Sequence, residues 1–557
     1  MKKKLAIIHK SSTVAIKFRN FIILLFIPAF FSCAPTNPYH ESNYFSGSKF
    51  YNDSLKISAK LFGDMKFCQP NRKTFRSFKK TEGLKYNNLL FTATSFVEPL
   101  YDLLFFYDNE DLGQYNHDID PKTKLIFHDS TNQNVLLQKS FKGKLISIYL
   151  MPPNGKSSVL EDGKQIIENI KFDISAKDDL TYSDVFNSFI EESNILYVMH
   201  KLNTAPIPKT KQSEWNKFQY LATILANDTS YPRYSEMIEK FEKKRKENLQ
   251  PIISDLLQNN PEIKTTLEGT INAIKLLSTT ENVVMLNEMH WNPNHRIFAT
   301  QLLKPLKENG YNYLAVEAVN QVFVADLNDR TFPTKNTGYY TREPFFGLFL
   351  RKAIEMGFKI VAYDDFESEN RERTQAENLN KIFIEKPNAK VFVYAGIDHI
   401  LENNSNNKKM AQYFKEIAGI NPVTIDQVEL VGNEENEVLF LTSDLVPKNK
   451  NINSDVDYFL INNLKPSLDM VFDKSELSNY NVDLSDLKNI QQQEIYVSVF
   501  MSSEYEKYKS RAIPIFNRIM KVGTKQISLL LPVGNFEVKI WDVNNNLISS
   551  SEIEVSK

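Results

Sequence analysis

Cysteine is almost missing from this chain: Cys33 and Cys68 are the two thiols in 557 residues. That excludes a disulfide framework and a cysteine-built zinc module, so stability has to come from ordinary apolar cores. Glycine, with 17 residues, is scarce too. No P-loop, no dinucleotide-binding glycine fingerprint and no G-x-S-x-G elbow is present, and H-E-x-x-H is also absent. P-loop nucleotidases, Rossmann dehydrogenases and serine hydrolases of the elbow type therefore drop away. Neither sign of charge dominates: 67 basic against 68 acidic residues leave a formal net charge of −1, which gives no reason to expect a nucleic-acid partner. Hydrophobic residues at 42% and charged residues at 24% are globular values, and the length calls for several domains.

The N-terminus departs from that average. Lys2, Lys3, Lys4, Lys10, Lys17 and Arg19 precede an apolar run from Phe21 to Phe31 that is too short to span a bilayer and fits a secretory h-region. The run closes on Phe30-Phe31-Ser32-Cys33, which resembles a bacterial lipobox, with phenylalanine where leucine and a small residue are usual. The resemblance implies a signal peptide over 1–32, lipidation of Cys33 and a membrane partner through that anchor. Ala34 follows where an aspartate would signal inner-membrane retention, so the outer membrane or cell surface is expected. The stretch 33–50, opening Ala34-Pro35-Thr36-Asn37-Pro38, reads as a tether.

Residues 51–176 show short apolar runs between polar turns and are read as a β-rich region. Within it His117-Asp118-Ile119-Asp120 is turn chemistry rather than a metal loop. From 177 to 280 the period becomes helical, and the charge run Glu239 to Glu247 alternates in sign as a solvated helix face does. Over 281–450, apolar runs at Val283–Leu286, Tyr313–Val316, Phe358–Tyr363, Lys390–Ala395 and Val423–Leu430 alternate with helical segments. That pattern predicts an α/β fold with a mostly parallel sheet covered by helices on both faces. A C-terminal antiparallel β-sandwich is expected over 457–557.

Parallel strands present their C-terminal ends on one edge, where open α/β sheets place ligands. The first run ends Asn287-Glu288-Met289-His290, the second ends at Glu317, and the fourth ends Gly396-Ile397-Asp398-His399. Two imidazoles and two carboxylates on one edge can ligate a divalent ion or form an acid–base pair. Asn287 through Arg296, then Glu317, then Asn370-Arg371-Glu372-Arg373, then Gly396 to His399 resembles the superfamily that joins erythromycin esterases, ChaN-like haem-uptake proteins and Tiki-type metalloproteases. The likeness covers about Asn282 to Thr442. It implies Glu288, His290, Glu317, Arg371, Glu372 and His399 as site residues, with His290, Glu317 and His399 as the metal set for zinc or manganese. Asn287 stands where the family has glycine, a change tolerated because Asn accepts left-handed backbone angles. Asp398 is a further ligand or orienter, Trp291 lines a pocket or packs, and His295 and Arg296 open a helix and face solvent.

The leading expectation is an exported lipoprotein that hydrolyses esters or amides of a small-molecule or peptide substrate, with Arg371 as substrate clamp. The alternatives are a haem- or iron-ligand-binding surface lipoprotein and a non-catalytic lipoprotein that binds polysaccharide or protein.

Overall fold

The computed structural model describes residues 43–46, 49–61, 65–68, 84–85, 88–95, 101–109, 122–129, 131, 133–152, 158–175, 180–188, 192–403, 407–432, 435–447, 452, 455–485 and 493–557. The expected signal peptide, Cys33, most of the expected tether and the segment His117 to Asp120 lie outside the described residues. Among the described residues no helix is long and apolar enough to cross a membrane.

Among the described residues two compact units form, one within Phe62–Asn169 and one from Tyr44–Leu61 with Ile170–Lys557. The first holds a six-stranded antiparallel sheet ordered Met65–Cys68, Leu89–Ser95, Asp102–Asn109, Lys144–Met151, Val135–Phe141, Lys122–His128. Helix Leu160–Glu168 covers it with Ile166 and Ile167. Lys139 donates to the Ile167 and Glu168 carbonyls at that helix's C-terminus, where the dipole favours a cation.

The second unit carries the rest. Asn43–Ser46 and Lys49–Asn52, which reach from the expected tether at 33–50 into the expected β-rich region, are strands in a four-stranded sheet with Ile57–Lys60 and Lys171–Phe172. Helices α1 (Tyr182–Ser188), α2 (Ile195–Thr204), α3 (Lys211–Leu225), α4 (Pro232–Asn259) and α5 (Leu267–Leu277) follow. In the charged stretch of α4, expected as a solvated face, Lys240–Glu236 is an exposed pair four residues apart, but Lys246–Glu242 is half-buried and Arg245 donates to the Val428 and Glu429 carbonyls. Then come β1 (Val283–Glu288), α6 (Pro293–Glu308), β2 (Tyr313–Val316), α7 (Pro344–Glu355), β3 (Lys359–Ala362), α8 (Arg371–Glu385), β4 (Val391–Gly396), α9 (Met410–Ala418), β5 (Val423–Asp426), β6 (Val438–Thr442) and β7 (Tyr458–Asn462).

These seven strands form one mixed sheet, ordered β3-β2-β4-β1-β5-β7-β6, parallel except for the β7–β6 pair. Among the described residues, the strand pairs of defined register in the other sheets are antiparallel. Strand β1 shows why the layer forms. Val284 and Leu286 point into a core shared with α6 and α7, whereas Val283 and Met285 point into one shared with α8 and α9. All four are fully buried, each contributing about 1.5–3 kcal/mol of apolar transfer, and only a strand covered on both faces accommodates such a run.

Tyr458–Asn462, taken from sequence as the head of the C-terminal segment, instead pairs with β5 and completes the α/β sheet. Beyond it, Leu477–Asp483 pairs with Gln526–Pro532, and Phe516–Met520, Ile495–Met501, Gly534–Asp542 and Leu547–Val555 make a four-stranded antiparallel sheet. Leu529 and Val538 share a core with α7, and Arg351 of α7 grips Glu504 with two hydrogen bonds of 2.8 and 2.5 Å.

Candidate functional site

The strand order places β2, β4 and β1 side by side, so their C-terminal ends lie on one edge. Register makes this concrete: Glu288 is level with Gly396, and the Glu317 amide donates to the Tyr394 carbonyl at 3.1 Å. A Cβ on Gly396 would fall 2.8 Å from Glu317 Oε2 and 3.0 Å from His290 Nε2. The missing side chain is what lets His290 and Glu317 approach over the end of β4.

Glu288 and His290 form a dyad. His290 Nδ1 lies 3.0 Å from Glu288 Oε1, while Glu288 Oε2 accepts from Arg296 Nε at 3.0 Å and from the Tyr394 hydroxyl at 2.9 Å. Burial alone would raise the Glu288 pKa, but Arg296 and His290 outweigh it and the carboxyl is held below its ordinary value. Tyr340 stacks flat on the imidazole, with centroids 4.2 Å apart at 13°. Arg296 and His295, expected to face solvent, are buried. The helix α6 enters the core at its first turn, so Arg296 has to find partners inside: Glu288, Glu343 at 2.9 Å and the His290 carbonyl. Glu343 also caps α7 by accepting from the Phe345 and Phe346 amides. His295 takes the Met289 N–H on Nδ1, and burial presses its pKa down to about 3, so it is a neutral structural imidazole.

A second cluster centres on His399. Its Nε2 is 3.2 Å from Glu317 Oε1 and its Nδ1 is 2.9 Å from Glu372 Oε2. Desolvation opposes its charge, yet the two carboxylates prevail and raise its pKa to about 9. Burial works against ionised Glu317 as well, but His399, His290 and the Gly396 N–H bring its pKa down to about 2. Glu372 is lowered for the same reason, with Lys409 and the Met410 amide assisting. Arg371 donates to Asp364 through Nε and Nη2, both at 2.8 Å, and to Glu317 at 2.7 Å. Two of its three nitrogens are thus held by protein carboxylates, so the guanidinium positions Glu317 rather than standing free as a clamp.

All six sequence-derived candidates, Glu288, His290, Glu317, Arg371, Glu372 and His399, therefore meet on this edge. Asp398 does not join them; it is exposed and lies 3.6 Å from Lys409. Trp291 is buried and packs edge-on against Trp215 and Phe218. Asp364, Tyr340, Tyr394 and Glu343 belong to the network but were not singled out by sequence. Asn287 is extended within β1, so left-handed tolerance is not its role. Its amide donates to the Ile397 carbonyl at 2.7 Å and accepts from the Gln427 N–H at 2.8 Å, tying the turns after β4 and β5 to β1.

The donor set does not fit the expected metal centre. Both nitrogens of His399 face carboxylates within 3.2 Å, and His290 presents Nε2 alone. Among the described residues no group of three or more His, Cys, Asp or Glu side chains is placed to hold a metal ion. Beside His290, under Phe186, Ile195, Val198 and Ile224 of the helical segment, lies a cavity of about 70 Å³. That is small against the roughly 300–1,000 Å³ of ordinary ligand pockets, and a haem does not enter it as it stands.

No protein-family model and no curated protein matches the chain. Solved structures similar to part of it include the type III effector HopBA1, at 11% identity and TM-score 0.26, covering 36% of this chain and 98% of that one. ChaN of Campylobacter jejuni, solved with cofacially bound haem, gives 13% identity and TM-score 0.24, covering 34% of this chain and 91% of that one. RRSP, a MARTX toxin effector domain from Vibrio vulnificus, gives 15% and 0.21, covering 28% and 35%. Each is a distant likeness to part of the chain, and the chemistry of the site rests on its own geometry.

Proposed function

We propose that the α/β domain hydrolyses an ester or amide bond, with His290 as general base. What supports this reading is the dyad: a strand-end imidazole whose Nδ1 is held by a buried carboxylate, itself fixed by Arg296 and Tyr394, leaving Nε2 over the gap above Gly396. In this reading Nε2 takes a proton from water as its oxygen bonds to the carbonyl carbon, and returns that proton to the departing oxygen or nitrogen. The His399 imidazolium and Arg371 guanidinium supply positive charge near the developing oxyanion. Glu317 and Glu372 position His399.

A panel of ester and peptide substrates tests it. His290→Ala and Glu288→Gln are each expected to lower kcat/KM by about 10²–10⁴-fold with the fold retained. Activity untouched by both substitutions refutes the assignment. No hydrolysis, with a Soret band on adding haem, would favour capture by a rearranged site. The membrane setting is part of the same proposal: Cys33 carries the lipid that tethers the chain to the outer membrane or cell surface. Cys33→Ser is expected to release the protein from membranes, and unchanged partitioning would overturn the anchor.

A further inference from the structure

Helices α2, α3 and α4 enclose a second concavity, a groove of about 890 Å³. It is lined by other residues of α2 and α3 than the His290 cavity is. Ile195, Val198 and Ile224 face the His290 cavity, whereas Met199, Leu221 and Leu225 face the groove. Its wall is a stack of rings. Trp215 and Phe218 lie 5.5 Å apart at 16°, and Phe218 and Phe241 lie 4.3 Å apart at 28°. Yet Trp215 is 39% and Phe241 43% exposed, a concentration of open aromatic surface that folding alone does not require. Phe218 is packed by Trp215, Phe241 and Trp291, and the rest of the apolar floor is the aliphatic and thioether surface of Met199, Leu221, Leu225 and Met237. Such adaptable surface suits a flexible chain better than a flat ring.

The rim decides the head group. Lys211, Arg233 and Lys240 line it together with Glu214, Glu236 and Glu494. The signs are interleaved: Lys240 pairs with Glu236 at 2.7 Å, and Arg233 pairs with Glu494. A purely anionic or purely cationic head would draw on one member of these pairs and leave the other uncompensated, whereas a zwitterion offers an opposite partner to both members at once. Carboxylates beside open indole and phenyl rings are also the surroundings that favour a quaternary ammonium.

We propose that this groove binds a single-chain zwitterionic amphiphile of the phosphocholine type. The chain lies along Met199, Leu221, Leu225 and Met237, the ammonium sits against Trp215 and Phe241, and the phosphate sits among Lys211, Arg233 and Lys240. The assignment does not depend on the hydrolase reading.

Titration of the full chain with dodecylphosphocholine below its micelle threshold, followed by tryptophan fluorescence and calorimetry, tests the proposal. Saturable one-to-one binding is expected, at least about fivefold tighter than for dodecyl sulfate or dodecyltrimethylammonium. Trp215→Ala and Phe241→Ala are each expected to weaken it about tenfold while leaving thermal unfolding in place. His290→Ala should bind as the wild type does, which separates this result from the fate of the hydrolase reading. Absent saturation, equal affinity for the three detergents, or full binding by Trp215→Ala would each overturn it.

Discussion

His399 is held charged by two carboxylates, and replacing it with glutamine should change the pH dependence of stability. Two carboxylates, at 3.2 and 2.9 Å, raise its pKa from 6.5 to about 9 against the desolvation of a nearly buried ring. At ~1.4 kcal/mol per unit this is on the order of 3 kcal/mol of stability. The fall of Glu317 to about 2 records the same attraction from the other partner and is not added to it. Because the folded pKa is raised, the contribution is complete below the unfolded value of 6.5 and disappears as pH rises through about 9. Glu317 and Glu372, both lowered, remain ionised throughout that window. Urea unfolding of wild type and His399→Gln, followed by tryptophan fluorescence at several pH values, should therefore show a gap of ~3 kcal/mol near pH 6 that closes towards pH 10. A gap of constant size across that range would refute the ion-triad description of this edge.

Arg296→Met removes the one cation between buried Glu288 and Glu343, and a loss of about 3–5 kcal/mol in the same urea assay is expected at neutral pH. Gly396→Ala puts a methyl 2.8 Å from both Glu317 Oε2 and His290 Cε1; kcat/KM should fall by about tenfold or more with little change in far-UV circular dichroism. Asn287→Ala leaves the Gln427 N–H and Ile397 carbonyl without their partner, and a cost of about 1–3 kcal/mol is expected in chemical denaturation.

The strands of the α/β layer were legible because each is a near-continuous apolar run, and the strand-end rule then gave Glu288, Glu317 and His399 without any knowledge of strand order. Asp364 was open to the same rule: it stands two residues past the end of β3 and was passed over. Arg296 was misjudged because an arginine in a first helical turn is ordinarily solvated. The signal against that was its neighbours, Ile297, Phe298 and Ala299, which leave α6 without a polar face there. Tyr340 lies in a non-periodic segment between β2 and α7, and its stacking on His290 depends on tertiary placement that no local pattern encodes. β7 was assigned to the wrong module because an irregular connection separates it from β6, and sequence spacing does not report which sheet a strand joins.

The charge balance of the edge bears on the substrate. Read from sequence, Arg371 near a carboxylate-rich crevice suits an anionic substrate. In the fold its Nε and Nη2 are held by Asp364 and Glu317, and the His399 imidazolium is bracketed by Glu317 and Glu372. Lys409 lies 3.5 Å from Glu372 and 3.6 Å from exposed Asp398. Arg296, Arg371, His399 and Lys409 are thus each paired with acids of this edge, so a substrate carboxylate would have to displace one of those acids. An anion would compete with Glu317 for Arg371 and loosen the carboxylate that positions His399. A neutral carbonyl makes no such demand, because the negative charge it develops exists only at the transition state, where the already oriented imidazolium and guanidinium favour it. On the proposed hydrolase reading, the pairing of Arg371 with Asp364 and Glu317 favours an uncharged ester or amide group at the reacting position.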